Sequence, residues 1–295
     1  MDLRAIAMGL TFALIWSSAF SSARIIVADA SPLFSLALRF LLSGIIGVAI
    51  ARVMGQSWHL TRDQLRATIL FGVCQNALYL GLNFYAMQTV EASVAAIIAS
   101  TMPLLVAVAG WLFFREKLRP IGIVGLLSGF FGVALIMSSR INAGVDMFGV
   151  MLCGIGALAL TFATLAVRGA TSGGNFMMVV GLQMFVGSAV LFVAAPFFET
   201  IYIHPTLPLL LAFTYTTLAP GLLATLIWFM LLNRIGAIRA ATFHFLNPVF
   251  GVTVAAILLG ERLGPMDVVG VLVTTLGILA VQLSRQPSQG KRASI

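Results

Sequence analysis

The chain has 295 residues, of which 60% are hydrophobic and 9% are charged, and its mean hydropathy is +1.07. Because soluble domains carry about 25% charged residues, this composition excludes an ordinary soluble protein and indicates an integral membrane protein. The net charge of +8 does not indicate nucleic-acid binding, since the 17 basic residues are scattered between apolar runs and form no continuous patch.

Ten apolar segments are each long enough to cross a bilayer, which takes about 20 helical residues. They cover residues 3–27, 32–53, 65–88, 92–114, 120–139, 147–168, 175–196, 207–233, 237–259 and 266–284. Their continuous hydrophobicity differs from the alternating pattern of transmembrane β-strands. The sequence therefore predicts an all-α integral membrane protein with ten transmembrane helices and short loops.

The positions of lysine and arginine predict the orientation of the bundle, because these residues concentrate in cytoplasmic loops. Thirteen of the 17 lie on the side of the N-terminus. Only Arg24, Arg140 and Arg262 lie on the opposite side, and Arg39 lies within the second span. We therefore expect both termini to be cytoplasmic, in a bacterial inner (cytoplasmic) membrane.

The two halves of the chain resemble each other. Residues 85–140, aligned without gaps against residues 230–285, share thirteen identical positions out of 56, including the pairs Pro103 with Pro248 and Gly132 with Gly277. Each half contains five spans, an odd number, so the halves must cross the membrane in opposite directions. We predict an N-terminal repeat at 1–140, an inverted repeat at 141–285 and a cytoplasmic tail at 286–295, the plan of many alternating-access transporters.

Six segments together resemble a known family. They are IWSSAF in the first span, SPLFSLALRF at the start of the second, EASVAAIIASTMPLLVAVAGWLFFREKL across the fourth, GLLSGFFGVALI in the fifth, FLNPVFGVTVAAILLGERL across the ninth and GVLVTTLGILA in the tenth. The chain is similar to the drug/metabolite transporter superfamily, in its ten-helix EamA-type branch, and the resemblance covers essentially its whole length. This implies a secondary transporter of small metabolites. The chain also resembles the amino-acid exporter group of that branch, which includes aromatic amino-acid exporters.

Prolines interrupt the fourth and ninth spans at matching positions, Pro103 and Pro248. Pro220 and Gly221 form a further weak point in the eighth span. A proline inside a helix removes a backbone hydrogen bond and bends the helix. We predict that these four residues are hinges beside a central cavity, the alternative being that the prolines are packing kinks.

Polar and aromatic side chains inside the spans identify candidate substrate-binding residues, because such groups are costly in hydrocarbon unless they face a cavity or a neighbouring helix. We predict that the following residues bind substrate: Trp16, Asn76, Tyr79, Asn83, Ser100, Trp228, His244 and Asn247. The spacing 76, 79, 83 places three of them on one helical face. The alternatives are helix–helix bonding for that face, a structural role for His244 and core packing for Trp16.

Rings, amides, hydroxyls and one imidazole suit a neutral or zwitterionic metabolite, above all an amino acid. All nine aspartates and glutamates lie at or near span ends, which argues against proton-coupled cation antiport. The alternatives are a multidrug, cation or other metabolite permease of the same fold, and a passive channel. No enzyme motif such as HExxH is present, and we expect no enzyme activity, cofactor, metal or nucleic-acid partner.

Two further features leave alternatives open. Arg39 either meets a substrate carboxylate or has a structural role, with its side chain extending to the membrane surface. The fifth span presents a face of small residues, Gly122, Gly125, Gly129 and Gly132, that permits close helix packing. We expect this face to pack against the tenth span of the same chain in a monomer, the alternative being a dimer.

Overall fold

A computed structural model describes residues 3–115, 119–166 and 175–284, and within them ten helices are long and apolar enough to cross a membrane. These helices are α1 (Leu3–Asp29), α2 (Pro32–Val53), α3 (Arg62–Ala86), α4 (92–114), α5 (Pro120–Asn142), α6 (Met147–Ala166), α7 (Phe176–Phe198), α8 (207–235), α9 (237–259) and α10 (Pro265–Ser284). The predicted all-α membrane fold is confirmed. The predicted tail at 286–295 lies outside the described residues.

Four helices change their hydrogen-bonding pattern within the span. The segments are Arg62–Phe71, the π-helical Gly72–Leu80 and Gly81–Ala86 in α3; Ala92–Ser100 and Met102–Phe114 in α4; Leu207–Leu218, the π-helical Ala219–Leu223 and Ala224–Ile235 in α8; and Ala237–Thr242, the 3₁₀-helical Phe243–Leu246 and Asn247–Leu259 in α9. Irregular turns of this kind inside helices often mark functional sites.

The interruptions of α4 and α9 coincide with the matched prolines. Pro103 is the second residue of the helix that begins at Met102, and Pro248 is the second residue of the helix that begins at Asn247. Proline is tolerated there because the first amides of a helix have no intrahelical acceptor. The predicted interruption of both spans is confirmed, and Pro220 with Gly221 lies in the π-helical turn of α8.

Helices α5 and α10 touch backbone to backbone through glycines. A Cβ atom placed on Gly125 would lie 2.7 Å from the Gly277 carbonyl oxygen, and one on Gly132 would lie 2.7 Å from the Gly270 carbonyl oxygen. No side chain fits in such a contact, so the glycines set the distance between the helices. The packing of the fifth span against the tenth, predicted from the small-residue face, is confirmed.

Helix α1 lies inside the bundle and contacts α4, α8 and α9. The loops after α1, α3, α5, α7 and α9 meet at the end where α1 ends, called here the Arg24 end. At this end, Glu199 accepts hydrogen bonds from the amides of Leu33 and Phe34 at the start of α2. Glu261 likewise accepts from the amides of Ala92 and Ser93 at the start of α4. Both carboxylates thus stabilise helix N-termini.

Candidate functional site

Four rings from three helices meet inside the bundle. The Phe12 ring on α1 lies 5.7 Å from Trp16, 4.7 Å from Trp228 on α8 and 5.3 Å from His244 on α9, measured between ring centroids. Trp228 and His244 are themselves 5.1 Å apart. These are distances at which aromatic rings attract one another. Trp16, Trp228 and His244 are only half-buried, so their surfaces are not fully used by packing.

The interruption of α9 brings polar groups to these rings. His244 lies in the 3₁₀ turn and Asn247 begins the next helical segment. The Asn247 amide nitrogen lies 3.2 Å from Nδ1 of His244, and the Ser17 hydroxyl donates to Oδ1 of Asn247 at 3.4 Å. Because an amide nitrogen only donates, Nδ1 accepts and a neutral His244 carries its proton on Nε2. We call Phe12, Trp16, Ser17, Trp228, His244 and Asn247 the aromatic cluster.

A groove of about 430 Å³ lies between α1, α8 and α9 toward the Arg24 end. Its lining residues are Ser18, Ser22, Ile25, Leu207, Pro208, Leu211, Ala212, Tyr215 and Leu258. Its polar groups are bonded in pairs, since the Ser18 and Tyr215 hydroxyls are 2.7 Å apart and Thr216 donates to Ser22 at 2.7 Å. The groove is therefore mostly apolar, with a few hydroxyls on α1 and α8.

A vestibule of about 730 Å³ adjoins the groove at the Arg24 end, and Ile25 and Pro208 line both spaces. The vestibule contains charges of both signs, from Arg24, Asp29, Glu91, Glu261 and Arg262. Burial raises the pKa of Glu91, an effect opposed by its ion pair with Arg140. The vestibule and the groove thus adjoin each other along the second half of α1, at the Arg24 end.

Arg140 connects three helices beside this vestibule. It pairs with Glu91, which precedes α4, and it donates to both carboxylate oxygens of Asp267 in α10, at 3.2 and 2.9 Å. Asp267 also accepts from the Gly264 amide at 2.8 Å. Such a network, together with the Glu261 contact to α4, holds α4, α5 and α10 in register at this end.

A sequence profile of the EamA-like transporter family matches residues 3–138 and 147–283. The chain belongs to this family. The uncharacterized transporter YvbV of Bacillus subtilis (strain 168) is 25% identical over 269 residues, which are 91% of this chain and 88% of YvbV. The uncharacterized inner membrane transporter YedA of Escherichia coli (strain K12) is 27% identical over 286 residues, 94% of this chain and 90% of YedA.

A solved crystal structure has the same fold, with a TM-score of 0.66, 19% sequence identity, and coverage of 96% of this chain and 98% of its own. The family profile confirms the predicted membership of the drug/metabolite transporter superfamily, in its EamA-type branch. The protein is a multi-pass membrane transporter, and its family and relatives are transporters rather than enzymes.

Four of the predicted binding residues of this transporter, Trp16, Trp228, His244 and Asn247, lie together in the aromatic cluster. Ser100 is buried next to the interruption of α4 and donates to the Ile97 carbonyl within its own helix. Ser100 therefore has its hydroxyl satisfied inside α4.

The predicted residues of α3 lie elsewhere, in contacts between helices. Asn76 donates to the Gln183 carbonyl of α7 at 3.0 Å. Asn83 donates to the Tyr79 carbonyl at 2.7 Å, beside Gly156 of α6. The π-helical turn explains this division, because i→i+5 turns hold more residues than α-helical ones and the spacing 76, 79, 83 no longer defines one face. The described contacts fit the alternative interpretation of this helical face, in which its polar side chains bond helices to one another.

Sequence reasoning did not single out Phe12, Tyr215 or Thr216. Phe12 lies one turn before Trp16, and this i, i+4 spacing is the signal that relates the two rings. Tyr215 and Thr216 stand at the end of the first segment of α8, just before its predicted weak point. An aromatic or hydroxyl residue beside an interruption is therefore a useful additional criterion for choosing candidates.

Arg39 does not extend to the membrane surface. Its relative exposure is 5%, and its guanidinium lies inside the bundle beside Gly221 of α8, where an added Cβ atom would be 3.6 Å from Nη2. The interpretation that its side chain reaches the interface is therefore wrong.

Proposed function

We propose that the protein is a secondary transporter that exports small neutral or zwitterionic metabolites, amino acids above all and aromatic ones among them, across the inner membrane. The aromatic cluster is the observation that carries this proposal. Trp16 and Trp228 offer half-buried ring faces to an apolar or aromatic side chain. Nε2 of His244 and the Asn247 amide supply hydrogen bonds for a carboxylate or carbonyl group.

The charge distribution supports a substrate without net charge. The nine acidic residues of the sequence lie at or near the ends of the predicted spans, so no carboxylate is available at mid-membrane to bind a cation. The vestibule, in contrast, contains both signs of charge within one space. A zwitterion is attracted to both kinds of group, whereas a cation or an anion is repelled by one of them.

Alternating access between two inverted halves is part of the proposal. The family profile matches the chain twice, and both α4 and α9 are interrupted at the matched prolines. The glycine contacts support the same relation. A shift of 145 residues converts Gly125 into Gly270 and Gly132 into Gly277, and the structure pairs Gly125 with Gly277 and Gly132 with Gly270. The two contacts are therefore exchanged by the proposed symmetry.

The packing of α4 and α9 supports a state that is open to the cytoplasm. At the Arg24 end the helices touch, since a Cβ atom on Gly251 would lie 2.6 Å from that of Ala96. Within the described residues, their other segments, 102–114 and 237–242, make no comparable contact. The excess of basic residues on the side of the N-terminus supports a cytoplasmic location for that side. Pro103 and Pro248 are the proposed hinges between the segments.

Counterflow into proteoliposomes tests this function. Vesicles containing the purified protein are loaded with an unlabelled amino acid, and uptake of the radiolabelled form is measured for L-phenylalanine, L-tryptophan and L-threonine in turn. We expect saturable uptake that internal substrate accelerates. Absence of saturable flux for every amino acid refutes the proposal. Flux without acceleration by internal substrate indicates a channel, and flux of tetraphenylphosphonium alone indicates a cation permease.

His244→Ala and Trp228→Ala test the aromatic cluster directly. Loss of one hydrogen bond to a charged group costs about 1.5–3 kcal/mol, so half-saturation in His244→Ala should require about 10- to 150-fold more substrate. His204→Ala and Trp58→Ala are matched controls, because both side chains are exposed and lie outside the spans. If the cluster variants transport like the controls, the aromatic cluster is not the substrate site.

A further inference from the structure

Arg39 is a buried cation within the membrane-spanning part of α2. It lies seven residues after Pro32, at which α2 begins, and therefore about 10 Å along the helix axis. The hydrocarbon core of a bilayer is about 30 Å thick, so this position is well below the headgroups. With 5% of its surface exposed, the side chain is buried within the bundle.

The guanidinium has no counter-ion among the described residues. The ion pairs within that part of the chain join Arg140 to Glu91 and Asp267 and do not involve Arg39. Its Nε has no hydrogen-bond partner among the described residues. The Phe40 ring is in contact, with its centroid 5.0 Å from Cζ. A cation–π contact returns much less free energy than the burial of an unpaired charge costs, so the site lacks a negative group.

The space beside Arg39 is bounded by the irregular turn of α8. Gly221 has no side chain there, and the space is narrow. A Cβ atom on it would be 3.1 Å from the Thr216 carbonyl oxygen, 3.3 Å from the Ser43 hydroxyl and 3.6 Å from Nη2 of Arg39. Ser43, one turn after Arg39, donates to the Thr217 carbonyl at the long distance of 3.5 Å. The turn therefore brings a hydroxyl donor and a strong cation to the same small gap.

We propose that Arg39, Ser43 and the π-helical turn of α8 form a binding site for a small monovalent anion. One buried, unpaired positive charge calls for one negative charge, because a divalent ion would leave a net charge buried. The gap beside Gly221 restricts the size of the group. A halide and a carboxylate group both meet these conditions, the first as an inorganic ion and the second as part of a transported molecule.

Thermal unfolding of the full chain in detergent tests the site. Tryptophan fluorescence reports the unfolding midpoint. The ligand added is sodium chloride, sodium acetate or L-phenylalanine. Sodium gluconate, whose anion is too bulky for the gap, keeps the ionic strength constant. A ligand at about 100 times its dissociation constant should raise the midpoint by about 5 °C. Arg39→Gln should abolish this shift. Arg52→Gln is the matched control, since Arg52 is exposed at the end of the same helix.

Gly221→Ala provides a second variant if Arg39→Gln does not fold. It keeps the cation and fills the gap, and half-saturation should rise at least tenfold. A shift with chloride alone identifies an inorganic anion, and a shift with acetate identifies a carboxylate. A shift with L-phenylalanine supports the site only where Arg39→Gln abolishes it, since L-phenylalanine bound at the aromatic cluster would also raise the midpoint. Equal midpoints in chloride, acetate, L-phenylalanine and gluconate, or a normal response in Arg39→Gln, overturn the proposal. These outcomes do not depend on amino-acid counterflow, so the two proposals can fail separately.

Discussion

Replacing Gly277 by alanine should separate α5 from α10. The added Cβ atom would lie 2.5 Å from the Gly129 amide nitrogen and 2.6 Å from the Gly125 carbonyl oxygen, whereas ordinary contacts of this kind are 3.4–4 Å. The obstructing atoms belong to backbone, so no side chain can turn aside and the helices must move apart by about 1 Å. Overpacking of this kind costs about 1–3 kcal/mol.

Gly154→Ala is the matched control, because a Cβ atom on Gly154 meets nothing within 4 Å. Alanine in a helix is favoured over glycine by about 1 kcal/mol, so this variant should be as stable as the wild type or slightly more stable. Unfolding in detergent, followed by tryptophan fluorescence, compares the two. Gly132→Ala, at the matching position of the other half, should lose about as much stability as Gly277→Ala. Equal stability of Gly277→Ala and Gly154→Ala would refute the close backbone contact.

Two further substitutions test the structure. Burial raises the pKa of Glu199 above its ordinary 4.5, so the folded state binds this proton more tightly than the unfolded state. The resulting stability is present below pH 4.5 and is lost as the pH rises through the raised pKa. Glu199→Gln should flatten this pH dependence in unfolding midpoints measured across that range, and an unchanged profile would contradict the prediction. Asn83→Leu removes a buried Oδ1 atom that has no partner among the described residues, together with the Nδ2 hydrogen bond to the Tyr79 carbonyl. An unsatisfied buried group costs about 1–3 kcal/mol and a hydrogen bond contributes about 0.5–1.5 kcal/mol, so stability should be equal or higher and counterflow unchanged. A well-folded variant without flux would return Asn83 to the substrate path.

The fold was predictable because its signals are local. Each span is a continuous apolar run, and the interruptions of α4 and α9 follow from Pro103 and Pro248, whose effect on a helix depends on neighbouring residues alone. His244 and Asn247 lie side by side in the structure, and their role in substrate binding stays a prediction. Both are polar groups inside a span, and the cost of burying them requires a partner nearby.

The remaining features depend on contacts that no local pattern records. The π-helical turn in α3 shifts the helical phase. The 3.6-residue period assigns Asn76, Tyr79 and Asn83 to one face, whereas Asn76 contacts α7 and the other two lie beside Gly156 of α6. The pairing of Arg140 with Asp267 joins residues 127 positions apart. The sequence indicates only how far Arg39 lies from the end of α2. The burial of its side chain depends on α8, which packs beside it.

The glycine contact between α5 and α10 has a consequence for the proposed motion. If the two halves exchange their conformations, every contact is replaced by its symmetry mate, and a contact that is its own mate stays the same. The symmetry turns the contact of Gly125 with Gly277 into the contact of Gly132 with Gly270, and the reverse, so the two contacts taken together stay the same. The α5–α10 interface is therefore expected to stay the same throughout the transport cycle. It adds equally to the free energies of the inward-open and outward-open states. Substitutions in this interface should alter the lifetime of the folded protein and leave the ratio of the two states unchanged.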